Sequence, residues 1–411
     1  MKIDNFHKII KKIKLPLSKI KKIELILKPH GGEIFMIGGV VRDIIKNKLV
    51  SSNTDLVTSI PINLVTKLLK KNKIKFSSEG FSYGSIVIHD GNHSFDLTSM
   101  RKDIETYGRK AKVKFSSRID DDSKRRDFTI NSIYCDTRGQ LLDPNNGLKD
   151  LTNYKYPRVK FIGSAEKRIN EDYLRILRFL RFSLYYSRIF YSPHFEWCKK
   201  LKKNIIYLSF ERRINELKKI LILINFESKV IIEQTFKFIE TSIGCKIKIE
   251  NFLSLCKLER TIEDISFERR IKFLTRKVKS REKKFVKFLE KKTKERILLE
   301  IKIFDFSSNN IIYLLYKYEK IYLQDALIFA YLDKEIKKKK LLQLLDLIGK
   351  FKIKKIPIDG TDLQCIGFKK GKRIGKVLDE IKFWWIDNNF RPTKKQCMEF
   401  AKKLLPTSFR R

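Results

Sequence analysis

The chain has 411 residues, enough for more than one core, since domains commonly run about 100 to 200 residues. Lys and Arg number 91 against 47 Asp and Glu, a formal net charge of +44, so the expected partner is a polyanion, with RNA the first candidate. Part of that charge is also read as solvated surface, because Lys is inflated together with Ile, Asn and Phe. The six cysteines (135, 198, 245, 256, 365 and 397) have no paired CxxC spacing, which argues against a zinc site or a disulfide framework and for a reducing, cytoplasmic setting. The longest apolar run, Ala326 to Leu332, falls well short of the roughly 20 residues of a membrane span, and Met1 to Lys22 is a basic helical pattern without an apolar signal core.

In chain order, Glu33 to Ile37 reads as a short strand stopped by Gly38 and Gly39, with helical spacing from Val40 to Asn47 and a loop from Lys48 to Ser52. Bare amides at the start of that helix suit a phosphate, and Arg42 adds a fork of donors. Asn53 to Ser59 alternates as a strand, whose pleat sets Asn53 and Asp55 on one face, side by side as oxygen ligands for Mg²⁺. Ser85 to His89 and Phe95 to Ser99 form a hairpin through Asp90-Gly91-Asn92, which brings Asp96 toward the same point. Clustered carboxylates are what metal-assisted phosphoryl transfer asks for.

From about Ser164 onward strand signals give way to helical patterns rich in Leu, Ile, Lys and Arg, and the basic runs Lys283 to Lys294 and Lys337 to Lys340 read as solvated helix faces, some of them touching phosphate. On a single helical wheel Asp172, Arg175, Arg178 and Arg181 cover one half and Tyr173, Ile176, Leu177 and Leu180 the other. Apolar residues on nearly all sides predict burial, and buried arginines must face an anion. The alternative for these residues is a set of intrahelical pairs such as Asp172 with Arg175, worth a few tenths of a kcal/mol on an exposed face.

Taken together, Gly38-Gly39-x-x-Arg42-Asp43, the Asp55 strand, Arg125 to Ser132, Asp143 to Leu151 and Glu171 to Phe182 resemble, in order, the motifs of the tRNA CCA-adding enzyme and bacterial poly(A) polymerase family of the class II type. Ser209 to Leu221 resembles the family's next helical motif. Gly360-Thr361-Asp362-Leu363, Ile366-Gly367 and Trp384-Trp385 resemble the tail of one bacterial branch. The resemblance implies an α+β fold: a nucleotidyltransferase palm on a small mixed sheet (1–158), a helical neck with a nucleotide-reading helix (159–240), and a helical body and tail that bind tRNA (241–411). It implies addition of C and A to the tRNA 3′ end from CTP and ATP, with Asp55 and Asp96 organising Mg²⁺. Gly38, Gly39, Arg42, Asp43, Arg126, Asp127, Asn131, Asp172, Arg175, Arg178 and Arg181 are then the nucleotide-binding set, and Asp172 and Arg175 read the base edge in place of a template.

One departure stands out: Asn53 occupies the position of the family's first metal-strand Asp. An amide oxygen binds Mg²⁺ without adding negative charge. Three consequences compete: slow catalysis on Asp55 and Asp96, replacement by a nearby carboxylate such as Asp43 or Asp90, or an impaired enzyme that retains tRNA binding. A poly(A) polymerase, or an enzyme adding C alone or A alone, shares the palm motifs and is the nearest alternative in the same class.

Overall fold

The computed structural model describes residues 16–46, 53–91, 93–107, 110–187, 189–224, 229–247, 249, 251–279 and 283–405. The first 15 residues of the basic N-terminal pattern, the loop 48–52 and Asn92 of the hairpin turn lie outside them. The chain divides into two units, 1–246 and 247–411.

In the first unit, α1 (Leu17–Leu27) buries Ile20, Ile23 and Leu27, one stripe at helical spacing. Strand β1 (Ile34–Ile37) is buried along its whole length, so it lies inside the sheet. Gly38 follows at φ 70°, a backbone conformation that L side chains avoid, and opens α2 (Gly39–Ile45). β2 (Asn53–Thr58) alternates open and buried at its start, with Asn53 and Asp55 open and Thr54 and Leu56 buried. Next come α3 (Ile62–Lys71), β3 (Phe76–Ser77), β4 (Ser85–Asp90) and β5 (His93–Ser99). The strands β6 (Arg101–Tyr107) and β7 (Lys110–Phe115) make a hairpin of their own, absent from the sequence reading although residues 110–115 alternate with period two. After α4 (Ile119–Lys124) the short β8 (Tyr134–Asp136) and β9 (Leu141–Leu142) complete a seven-stranded sheet of order β3-β4-β5-β2-β1-β8-β9. Only β2 and β5 pair in parallel; the other neighbours are antiparallel, so the sheet is mixed as expected. Phe35, Ile37, Val57, Met100 and Tyr134 pack as one cluster within this region.

The unit continues through α5 (Gly147–Thr152), α6 (Ala165–Glu171), α7 (Leu174–Phe182), a π-helical turn Ser183–Ser187, α8 (Ser192–Lys200), α9 (Phe210–Leu223) and α10 (Lys229–Ile243). Phe161 stacks on Phe179 of α7 at 5.5 Å and lies tilted against Phe128 at 4.9 Å, centroid to centroid, joining α7 to the segment after α4.

The second unit is helical among the described residues: α11 (Phe252–Thr261), α12 (Phe267–Thr275), α13 (Lys291–Leu298), α14 (Ser308–Leu315), α15 (Lys320–Leu332), α16 (Lys338–Lys350), α17 (Gly360–Cys365), α18 (Lys372–Asp387) and α19 (Lys394–Lys403). Its first half buries charge. Arg269 Nε meets Asp325 at 2.7 Å, Arg270 Nε meets Glu259 at 2.6 Å and Arg296 Nε meets Asp325 at 2.8 Å. Lys283, expected on a solvated face, is buried too. The tail motif falls in a second core, where Leu363, Ile381 and Trp385 pack together, and the Asp359 carboxylate caps α17. Among the described residues no helix is long and apolar enough to cross a membrane.

Candidate active site

Asp55 on β2 and Asp96 on β5 are register partners in the parallel pair, so their carboxylates leave the same face of the sheet side by side. Loss of hydration raises the Asp55 carboxyl above its usual 3.8, and the like charge of Asp96 raises it further, against the opposing pull of Arg126, Arg42 and Arg178. The residue is open to solvent on one side, so the Asp96 charge is the firmer of the two causes. Two carboxylates side by side form a donor set suited to a hard divalent cation. Among the described residues no third carboxylate, His or Cys completes a larger cluster.

Asn53, expected as an oxygen ligand, is turned otherwise: its Nδ2 donates to Asp96 Oδ2 at 2.7 Å, and its Oδ1 accepts from the Ser94 hydroxyl at 3.2 Å. The amide orients Asp96 and spends its own oxygen on Ser94. Neither suggested substitute joins the pair. Asp43 accepts from the Tyr186 hydroxyl and lies 3.5 Å from Arg42 Nε, while Asp90 is engaged by Lys19 at 3.3 Å at the far end of β4.

The glycine turn closes on this carboxylate. A Cβ on Gly38 would stand 3.4 Å from Asp55 Oδ2, and one on Gly39 would stand 3.6 Å from the Arg42 guanidinium. Arg42 is buried, donates to Asn131 Oδ1, and lies over the rings of Phe182 at 4.8 Å and Tyr186 at 4.6 Å. Phe182 is also flanked by the guanidiniums of Arg178 at 5.3 Å and Arg181 at 4.1 Å. Three guanidiniums thus gather about one ring. Burial, Arg178 and Arg42 all depress the Arg181 pKa, and Glu216 alone offsets them.

The segment from Arg125 to Ser132 is held from several sides. Arg126 forks onto the Asp122 carboxylate at 2.9 and 3.1 Å, and Tyr134 donates to the same oxygen at 2.7 Å. Burial pushes the Asp122 carboxyl up, but Arg126, Arg125 and the Tyr134 hydroxyl outweigh it and hold it at about 2. Asp127 accepts from Asn131 Nδ2 at 2.9 Å and from Arg178 Nε at 2.6 Å, and here also burial loses to Arg178, with the carboxyl down at about 2. The motif Asp143 to Leu151 is a buttress beneath: Asp143 caps α5 through Gly147 and Leu148 N–H at 2.8 Å each. Gly147 is required there, because a Cβ would meet the Thr129 carbonyl oxygen at 2.1 Å.

The wheel reading needs correcting. Asp172 lies outside α7, in extended conformation at the break after α6. Its Oδ1 accepts from Leu174 N–H at 3.1 Å and its Oδ2 from Arg212 Nη2 at 2.7 Å, so it pairs with α9 rather than with Arg175. Arg175 donates through Nη1 to Glu171 and to the Arg168 carbonyl, which leaves Nη2 without a protein partner among the described residues. Arg178 and Arg181 take the anions that burial demands from Asp127 and Glu216, the latter at 2.7 Å. The partners Glu171, Arg212, Glu216 and Asp122 all lay inside or next to the quoted motifs, but a linear pattern does not say which carboxylate reaches which guanidinium.

Residues 34–156 match the family of the poly A polymerase head domain. Over 418 aligned residues the chain is 28% identical to the mitochondrial CCA tRNA nucleotidyltransferase 1 of Homo sapiens, covering 93% of this chain and 90% of that protein. It is 34% identical over 207 residues to the CCA-adding enzyme of Oceanobacillus iheyensis, half of each chain. Among solved structures, the Bacillus stearothermophilus CCA-adding enzyme in complex with CTP superposes with a TM-score of 0.74 at 20% identity, covering 95% of this chain and 98% of that one, a likeness of fold.

Proposed function

We propose that the chain, whose residues 34–156 match the poly A polymerase head domain, is a nucleotidyltransferase that adds C and A to the 3′ end of tRNA, using CTP and ATP. The observation that carries the reading is the Asp55–Asp96 carboxylate pair at the mouth of a glycine turn, with the Arg42 guanidinium beside it. The proposed reaction is attack of the RNA 3′-hydroxyl on the α-phosphate, with loss of pyrophosphate. Nucleotidyltransferases of this class use divalent metal ions, and we assign Mg²⁺ to Asp55 and Asp96. Held by Asp55 and Asp96, the ion would supply Lewis acidity to the α-phosphate and to the attacking hydroxyl.

The chain's own residues supply the rest. Arg42, Arg178 and Arg181 neutralise the triphosphate, while Arg126 and Asp127 keep the strand-to-neck connection in register. Arg175 Nη2 offers a donor and Asp172 an acceptor within one turn, since Arg175 N–H bonds the Asp172 carbonyl at 3.0 Å. A donor and an acceptor in one plane serve the edge of cytosine or adenine after a small rearrangement. Asn53 leaves the ion with two carboxylates, which supports a slowed enzyme over an inert one, because the nucleotide-holding network is complete.

The finer domain division into head (1–158), neck (159–240) and RNA-binding body with tail (241–411) belongs to the same proposal. The scattered cysteine spacing, without CxxC pairs, supports a reducing compartment such as the cytoplasm. The test is incorporation of labelled CTP and ATP, with Mg²⁺, into a tRNA transcript ending before CCA. Addition of two C and then one A is expected; long A tails would assign the chain to poly(A) synthesis instead.

A further inference from the structure

The reading helix α7 does not end normally: it widens into the π-helical turn Ser183–Ser187, a rare geometry often found at functional sites. That turn delivers Tyr186, buried, onto α2 of the head. Its ring lies 4.6 Å from the Arg42 guanidinium and its hydroxyl donates to Asp43 Oδ1. The same Oδ1 stands 3.5 Å from Arg42 Nε, too far for a good hydrogen bond, and Arg42 Nε is buried without a hydrogen-bond partner. A guanidinium beside a neighbouring carboxylate would ordinarily close that gap. Here the Tyr186 hydroxyl occupies the oxygen and its ring supports the guanidinium from the side.

The geometry points to Tyr186 as a positioning residue that keeps Asp43 from capturing Arg42, and so holds Arg42 for the triphosphate. The inference rests on the nucleotide-transfer reading above and gives it a coupling. Arg178 and Tyr186 sit on one continuous helical element and grip the head at two points, Asp127 and Asp43. Asn131 links the two grips, accepting from Arg42 and donating to Asp127 at 2.9 Å. A movement of the base-reading helix is therefore transmitted to the phosphate-side arginine.

The test is equilibrium binding of CTP and of ATP to the full chain, wild type beside Tyr186→Phe and the double variant Tyr186→Phe with Asp43→Asn. Loss of the Tyr186 hydroxyl is expected to weaken binding of both nucleotides about tenfold, with tRNA binding unchanged. Asp43→Asn alone is the reference for the double variant: with the neutral amide no longer drawing Arg42 away, adding Tyr186→Phe to it costs at most about twofold. A Tyr186→Phe protein that binds nucleotide as wild type does, or a double variant about tenfold weaker than Asp43→Asn alone, would overturn the proposal. A wild type that binds CTP but adds none ends the transfer reading and still lets the Tyr186 comparison decide; a wild type that binds no nucleotide ends both.

Discussion

Asn53 hydrogen-bonds Asp96 across the parallel β2–β5 pair, Nδ2 to Oδ2 at 2.7 Å, at the position where the resembling family carries its first metal-strand Asp. The contact converts what would be repulsion between two like charges into an attraction. It stabilises the metal-free β2–β5 pair at the expense of negative charge for the ion.

Restoring the carboxylate with Asn53→Asp reverses both terms. A unit charge about 4 Å from a divalent ion is worth several kcal/mol even at an effective dielectric near 20, so kcat is expected to rise by on the order of tenfold or more. Without divalent ion the variant melts below wild type, and adding Mg²⁺ reverses the order. Equal rates for the two proteins at saturating Mg²⁺ would place the ion elsewhere.

Asp55 gives a pH signature. Its carboxyl lies above 3.8 in the folded chain, raised by lost hydration and by Asp96. A raised folded value means the group's stabilisation is present below the unfolded value and lost as pH rises through the folded one. In chelator, Asp55→Asn therefore melts above wild type at pH 7, and the gap narrows as the solution is acidified. Thermal unfolding from pH 7 downward checks this; an Asn variant less stable than wild type at pH 7 contradicts it.

Asp127 has the opposite sign. Arg178 and Asn131 hold it at about 2, so its stabilisation is present above the unfolded 3.8 and lost as pH falls through about 2. Asp127→Asn is expected to cost up to roughly 2 kcal/mol at pH 7, measured by denaturant unfolding, with the difference from wild type shrinking across that acid window. A cost that does not change with pH would mean that the Asp127 charge is not what matters.

Arg212 holds Asp172 from α9. Arg212→Ala releases the acceptor that is proposed to read the base, and the preference for C over A at each step is expected to fall about tenfold, a little over 1 kcal/mol. Single-nucleotide incorporation measures it. An unaltered ratio would remove Asp172 from base selection.

In the body, Asp325 is fully buried between Arg269 and Arg296. Asp325→Ala removes the carboxylate that both share; Arg269 keeps Asp264 at 2.6 Å and Glu259 at 3.3 Å, Arg296 is left with Glu268 at 3.6 Å, and the second unit is expected to lose about 3 kcal/mol, read by denaturant unfolding. A loss under about 1 kcal/mol would show that these remaining partners suffice.

Much of the head was legible beforehand because local signals agreed with the tertiary result. The glycine pair forced a turn after β1, and the alternation from Asn53 onward placed Asp55 on an open face. The hairpin partner Ser85 to Ser99 then brought in Asp96. What could not be read was partnership. Asp172 sits three residues before Arg175, a spacing that suits a helical pair, yet the chain breaks at Asp172 and the carboxylate goes to Arg212, 40 residues on. The basic stretch at Lys283 looked like solvent-facing helix, but packing in the body buries its first lysine. Periodicity reports faces; which charge meets which is decided by how the elements pack.

The most direct test places wild type, Asn53→Asp and Asp55→Asn side by side in Mg²⁺ with labelled CTP and ATP and a tRNA transcript lacking CCA. The account predicts slow, ordered addition of C, C and A by wild type, faster addition in the same order by Asn53→Asp, and none by Asp55→Asn. Addition by Asp55→Asn at the wild-type rate, or no addition by either of the other two proteins, would contradict it.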